Sequence, residues 1–342
     1  MTGTYEGYLQ ALSTADAGAA AEVLDDALVR GESPKRLMRE VVGRGQRRVG
    51  ELWMDGTWNI ADEHAATAIA EQVMTVIAPP RSPPPTARRV VLACAEGEWH
   101  TMPARLAAEL ARSPRLDVVM LGGNLPAAHL QRHLRATTPT ALALSVTMPT
   151  NLIGASRSIQ AARAEGVPVI VGGAAWGDGQ HRARRLGADL HLENPEEMWQ
   201  VIDDVEDIDE VAGPPPPLDE HPIPAEALLL DSPSPQMLNL VLDRQRAASS
   251  WMRSMTQYQR DQCYQDLNWI ARYAAASVAC DDPTIVRDLL SWLQAMLEPL
   301  GVPGAAILDT CSYLADEVEH DAPTAAAILR QEAEQAQGAT HE

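Results

Sequence analysis

The sequence predicts a multidomain chain: a four-helix bundle, an α/β domain on a five-stranded parallel sheet, and an all-α C-terminal domain. Two observations predict it. Two proline-rich stretches, 79–89 (PPRSPPPTARR) and 213–224 (GPPPPLDEHPIP), are stiff, extended spacers that no helix crosses, and they divide the 342 residues into three segments. The first and third segments carry apolar residues at helical spacing, whereas the middle one alternates continuous apolar runs with amphipathic stretches. The expected domains are 1–79, 88–212 and 225–335.

In the first segment, 5–12 and 16–30 read as helices, with Gly31 as a stop. Ser33-Pro34 is an N-cap followed by proline at the first helical position, and this third helix is expected to reach Met54 before the Asp55-Gly56 turn. A fourth helix is expected over 59–77, which completes the bundle. In the middle segment the predicted strands are 90–95, 116–121, 141–146, 167–171 and 188–192. Helices are predicted near 102–112, 126–136, 151–165, 178–187 and 195–204. Continuous apolar strands between helices indicate a doubly wound, flavodoxin-like sheet that binds ligands at the carboxyl ends of its strands. The third segment predicts helices over 235–276 with breaks, 283–297 and 304–319, and a polar tail that frays after Gln331.

Bulk properties narrow the function. A formal net charge of -20, with no basic cluster, repels a phosphate backbone, so direct DNA binding is not expected. The four cysteines fit neither a zinc site nor a disulfide framework. There is no signal-peptide pattern and no apolar run long enough for a membrane span, so a cytoplasmic protein is expected.

The first strand ends in ACAEGEWHTMP, which places Glu98-Trp99-His100 on the ligand-binding rim. Ser145-Val146-Thr147 ends the third strand, and Gly172-Gly173 follows the fourth. These features, in this order on one rim, resemble the cobalamin-binding Rossmann domains, whose motif is Asp or Glu, any residue, His, two residues, Gly. Pro103 stands here in place of that Gly. The resemblance implies that His100 ligates cobalt from below, displacing the cofactor's own dimethylbenzimidazole. Glu98 would bond the other ring nitrogen and fix its tautomer and basicity. The displaced nucleotide tail would thread past Ser145, Thr147, Gly172 and Gly173, where small residues permit close approach and hydroxyls can bond it.

In the first segment, ELWMDGTWNIADEH sets Trp53 nine residues ahead of Glu63-His64. This spacing resembles the Trp-x9-Glu-His signature of photosensory B12 receptors related to light-responsive transcriptional repressors. The resemblance implies adenosylcobalamin, with Trp53 packed over the adenosyl group and Glu63 bonded to it. A flat apolar ring and an acceptor are what a nucleoside needs. His64 stands as a further candidate ligand.

In the third segment, Cys263, Asp266, Trp269 and Tyr273 precede Asp281-Asp282-Pro283 and Leu300-Gly301-Val302-Pro303. Cys263 and Asp266 are three apart and share a helix face. Roughly 255–320 resembles the chromophore-bearing core of phycobiliproteins, the globin-like bilin proteins of light-harvesting antennae. The resemblance implies a bilin, biliverdin by preference. Cys263 would be its attachment thiol, Asp266 the acceptor for its pyrrole N–H groups, and Trp269 and Tyr273 the walls. Gln265 replaces the Arg that the family carries before the Asp, which leaves Arg253 and Arg260 as candidates for the propionates.

The combination resembles the photocobilins, receptors that join both chromophores. The expectation is a light sensor rather than an enzyme. Photolysis would change its domain packing or homo-oligomeric state and signal to a separate partner protein. Two readings compete with it: a corrinoid methyl carrier of a methyltransferase system, and a B12-binding module whose C-terminal domain is a ligand-free dimerisation surface.

Overall fold

Three of the four bundle helices begin where the sequence supplies a side-chain cap, in a computed structural model that describes residues 1–78, 82–203, 223–297 and 302–339. Asp16 accepts from the Ala19 N–H to start Ala17–Val29, and Ser33 accepts from the Arg36 N–H to start Pro34–Leu37. Asn59 and Asp62 cap each other reciprocally at the head of Ile60–Ile77. With Thr2–Ser13 these give the four expected helices. The third is continuous from Pro34 to Met54, but its middle, Met38–Gly43, is wound as a π-helix, which the sequence pattern does not announce. Tyr8, Leu24, Leu37, Val41 and Val73 are among the buried residues of the bundle core.

The five strands are β1 (Arg88–Cys94), β2 (Leu116–Met120), β3 (Ala141–Ser145), β4 (Val169–Gly172) and β5 (Leu190–His191). They form one parallel sheet in the order β2-β1-β3-β4-β5. The order reverses between β1 and β3, which makes their carboxyl ends the switch point where such sheets take ligands. The register pairs Cys94 with Ser145 and Ser145 with Gly172, so three strand ends are level. The first compact unit takes in Met1–Thr147, Ala161–Gly173 and, among the described residues, 189–203. Within it, polar contacts tie the bundle to the α/β layer: Lys35 donates to the Leu110 carbonyl (2.6 Å), Thr101 to Glu71 (3.1 Å), Arg39 to Glu196 (2.7 Å) and Arg105 to Thr75.

The second unit takes in Met148–Gln160, Ala174–Ala188 and the C-terminal helices. Those helices are Ala225–Asp231, Pro235–Ala248, Ser250–Arg253, Gln257–Cys280, Thr284–Leu297, Gly304–Val318 and Pro323–Ala339. Thr256 and Gln259 box the start of Gln257–Cys280, and Asp281 ends it in the left-handed conformation. The tail does not fray after Gln331. It stays helical to Ala339 because Ala325, Ala326, Leu329 and Ala333 bury one face, and Glu332, fully buried, pairs with Arg287 at 2.8 Å. Leu300 and Gly301 of the expected turn, the acidic run from residue 204 and linker residues 79–81 and 213–222 lie outside the described residues. Among the described residues, no helix is long and apolar enough to cross a membrane.

Candidate functional site

Glu98 organises the rim. Its side chain is fully buried, and its Oε1 accepts from the His100 backbone N–H (2.9 Å) and from His100 Nδ1 (2.6 Å). Oε2 accepts from the Thr147 N–H (2.8 Å), which ties the β1 loop to the β3 loop. The Glu98 carbonyl takes the Asn124 N–H (2.7 Å), and Asn124 Oδ1 takes the Gly97 N–H (2.9 Å), which ties in the β2 loop. A carboxylate only accepts, so the imidazole proton sits on Nδ1 and Nε2 is left as the outward nitrogen. The hydrogen bond that His100 donates to Glu98 raises the His100 pKa. Partial burial opposes it, and the charges of Glu98 and of Glu63, on the bundle, add to it. Glu63 is therefore near enough for its charge to act at His100, although the two are 37 residues apart in sequence.

The other rim residues divide by role. Ser145 is buried at the end of β3. Thr147 Oγ1 is buried with no hydrogen-bond partner, an open polar atom that fits the place expected for a nucleotide tail. The glycines serve the protein itself. Gly173 has φ +107°, and a Cβ there would collide with the Val146 carbonyl oxygen; a Cβ on Gly172 would sit 3.2 Å from the Leu192 carbonyl oxygen. Both glycines admit neighbouring backbone, which differs from the ligand approach expected from the sequence.

On the bundle, Trp53 is half-buried in the last turn of Arg44–Met54, and Glu63 lies in the first turn of Ile60–Ile77. Glu63 Oε1 accepts from Thr67 Oγ1 (2.9 Å), and Thr67 Oγ1 accepts from Gln46 Nε2 (2.8 Å). His64 is exposed, and its Nδ1 lies 2.6 Å from Glu63 Oε2, so it brackets Glu63. Sequence reasoning missed Gln46, Thr67 and Asn124. Only Thr67 left a trace, at i+4 from Glu63.

The C-terminal helix Gln257–Cys280 brings Cys263 and Asp266 to one cavity of about 40 Å3 lined also by Met252, Ile270, Leu293 and Ile307. Asp266 makes no hydrogen bond or ion pair among the described residues, and burial pushes its pKa up to about 6. A desolvated, unpaired acid fits an acceptor that awaits N–H donors. Burial, with the Asp266 charge behind it, pushes the Cys263 thiol up to about 11, so its nucleophilic thiolate is scarce near neutrality. Trp269 and Tyr273 pack on each other, centroids 6.2 Å apart, and neither lines the cavity; Ile270 takes that position. At about 100° per residue, Tyr273 lies only about 20° around the helix from Asp266, so the expected walls are on the right side of the helix but pack on each other and not on the cavity. Arg253 donates to the Arg246 and Ala247 carbonyls and does not reach the cavity; Arg260 donates to the Met255 carbonyl and to Gln257 and lines a neighbouring pocket.

Comparison with known proteins agrees with this geometry. Residues 4–78 and 88–197 match two family models, each described as a B12 binding domain, and residues 242–337 match the model described as phycobilisome protein. The chain is 32% identical over 209 residues to the HTH-type transcriptional repressor CarH of Myxococcus xanthus, covering 58% of this chain and 66% of that one, just under two thirds of the repressor's length. It is 26% identical over 204 residues to trimethylamine corrinoid protein 1 of Methanosarcina acetivorans, covering 56% of this chain and 92% of that one. The fold is shared with the monomethylamine corrinoid protein of Methanosarcina barkeri, at TM-score 0.51 and 18% identity, over 58% of this chain and 97% of that one. Residues 4–197 thus form a cobalamin-binding module related to the CarH repressor and to corrinoid proteins, and a phycobilisome-like helical domain follows it.

Proposed function

We propose that this chain senses light through adenosylcobalamin held between the bundle and the sheet rim, and that its C-terminal domain carries biliverdin. The observation behind this reading is the Glu98–His100 rim, in which the buried Glu98 carboxylate takes His100 Nδ1 at 2.6 Å, in one unit with a bundle that carries Trp53 and Glu63 at the photosensory spacing. Adenosylcobalamin supplies a light-labile cobalt–carbon bond. His100 offers Nε2 as the lower ligand, and Glu98 keeps the proton on Nδ1. Thr67, itself bonded by Gln46, holds Glu63 in place, and Trp53 is the apolar surface for the adenosyl group. Asp266 supplies the acceptor in the C-terminal cavity, and the raised Cys263 pKa favours a bilin held without a thioether bond. The signal passes to a separate partner through a change in homo-oligomeric state.

The likeness to the trimethylamine corrinoid protein, over 92% of its length, favours a second reading, a methyl carrier. The test is to load dark, purified protein with adenosyl- or methylcobalamin, illuminate it, and record the visible spectrum and the mass by light scattering. A light sensor prefers the adenosyl form, changes spectrum irreversibly in light and changes mass. Preference for methylcobalamin with a mass indifferent to light establishes the carrier instead.

A further inference from the structure

His100 stands at the junction of two elements. It closes the β1 loop and is the N-cap residue of helix Thr101–Ala111. That helix is sunk into the bundle: Met102 and Leu110 belong to the bundle core, and Leu106 packs against it. Residues four apart form a ridge along a helix, so this ridge fixes the helix body. Its first residue, Thr101, is gripped separately and from two sides. The Thr101 hydroxyl donates to Glu71 Oε1 on the bundle helix Ile60–Ile77, at 3.1 Å. The Thr101 methyl fills the space at Gly123 of the β2 loop, 2.9 Å from where a Cβ would stand.

Glu71 belongs to a ridge of its own. Glu63, Thr67, Glu71 and Thr75 follow one another at four-residue spacing on Ile60–Ile77. At one end Thr67 donates to Glu63 (2.9 Å); at the other, Arg105 donates to Thr75. Two turns of helix, a rise of about 12 Å, separate the acid expected beside the adenosyl group from the acid bonded to the neighbour of His100. The two bonds between the helices are not equivalent. Thr101 adjoins His100, whereas Arg105 lies one turn further on.

We propose that Glu71 is a positioning residue for the cobalt ligand: by holding Thr101 it sets how near the cofactor the His100 imidazole stands. One bundle helix then carries both the acid for the cofactor's upper substituent and the anchor of its lower ligand. This rests on His100 as the lower ligand, as proposed above. Glu98 governs which ring nitrogen is presented, through Nδ1, and Glu71 governs its height. The Thr101 hydroxyl needs an acceptor and not a charge, so a glutamine carbonyl can take the place of the carboxylate.

The test uses the full chain, labelled throughout with heavy nitrogen and loaded with unlabelled cob(II)alamin. The unpaired electron of cob(II)alamin lies along the axial bond, so electron paramagnetic resonance reads the lower ligand. The labelled imidazole splits each cobalt line into a doublet, and the cofactor's own base splits it into a triplet. Wild type should give the doublet. Glu71→Ala and Thr101→Val remove the same bond from opposite sides, so the second carries the test if the first folds poorly. Both should lose most of the doublet and bind cobalamin about tenfold more weakly. Thr75→Val removes the bond one turn further along the same two helices and should keep both the doublet and the affinity. Glu71→Gln, which still accepts from the hydroxyl, should restore both. A full doublet without the Glu71–Thr101 bond, an equal loss in Thr75→Val, or no recovery in Glu71→Gln overturns the positioning role while His100 remains the ligand. A wild type without the doublet overturns cobalt ligation by His100, and this proposal with it.

Discussion

Two carboxylic acids do opposite work in this chain. Glu98 accepts hydrogen bonds from the His100 N–H, from His100 Nδ1 and from the Thr147 N–H, which fix it in place. Glu98→Gln turns one acceptor into a donor, which cannot serve both His100 and Thr147. Removing such a partner of a ligating imidazole lowers metal affinity about 10–100-fold, and that is the loss expected for cobalamin in a spectral titration. Asp266 has no hydrogen-bond or ion-pair partner among the described residues, and its pKa is pushed up to about 6 by burial. Because the folded value lies above the unfolded one, the folded state binds more protons in between. The stabilisation is complete below about pH 4 and is lost as pH rises through about 6. Thermal melts of the ligand-free protein should show this slope, Asp266→Asn should flatten it, and bound biliverdin should reverse it by favouring the carboxylate. A melt of the Asn variant that still declines over that window assigns the slope to another group.

At the level of elements, the sheet explains why the rim was legible before the structure. Parallel strands with both faces covered must be continuously apolar, so five apolar runs announced five strands. Ligand-bearing residues must follow those runs, which isolated Glu98, His100, Thr147 and Gly173. What the residues do there was less legible. The glycine pair reads in sequence as room for a ligand, but the space at Gly173 belongs to the Val146 carbonyl, a neighbour that only the β3–β4 register supplies. Gly173→Ala combines that collision with an unfavourable φ and should cost about 3 kcal/mol in denaturant unfolding, with cobalamin affinity falling as the β3 loop is displaced. Full stability in this variant would mean that the loop relaxes freely. In the C-terminal domain, the i, i+3 pair was legible because it is local. That Trp269 and Tyr273 stay out of the cavity was not, since it depends on where along a 24-residue helix Leu293 and Ile307 meet it.

For the whole molecule, charge sets the terms of assembly. A net charge of -20 makes any association of two copies climb a repulsive field that salt screens. A homo-oligomer of this chain should therefore tighten as ionic strength rises from low values, and sedimentation at two salt concentrations measures it. Association that weakens with salt would instead point to complementary charged patches between copies.

The π-helical stretch in the third bundle helix has a consequence for angular phase. An α-helix advances about 100° per residue, and a π turn absorbs one extra residue without moving the axis. Helix Arg44–Met54, with Trp53 at its end, thus stays in phase with the Ser33-capped start from which it grows. Deleting one residue within Met38–Gly43 would let the stretch relax to α geometry, keep the helical content unchanged by circular dichroism, and leave Trp53 on nearly the same side of the helix, whereas deleting one residue from the α-helical part, Arg44–Met54, would turn it about 100°. The first deletion should therefore leave any preference for the adenosyl over the methyl form of the cofactor intact in a spectral titration, and the second should abolish it, so that the π turn keeps the aromatic ring in register despite one extra residue.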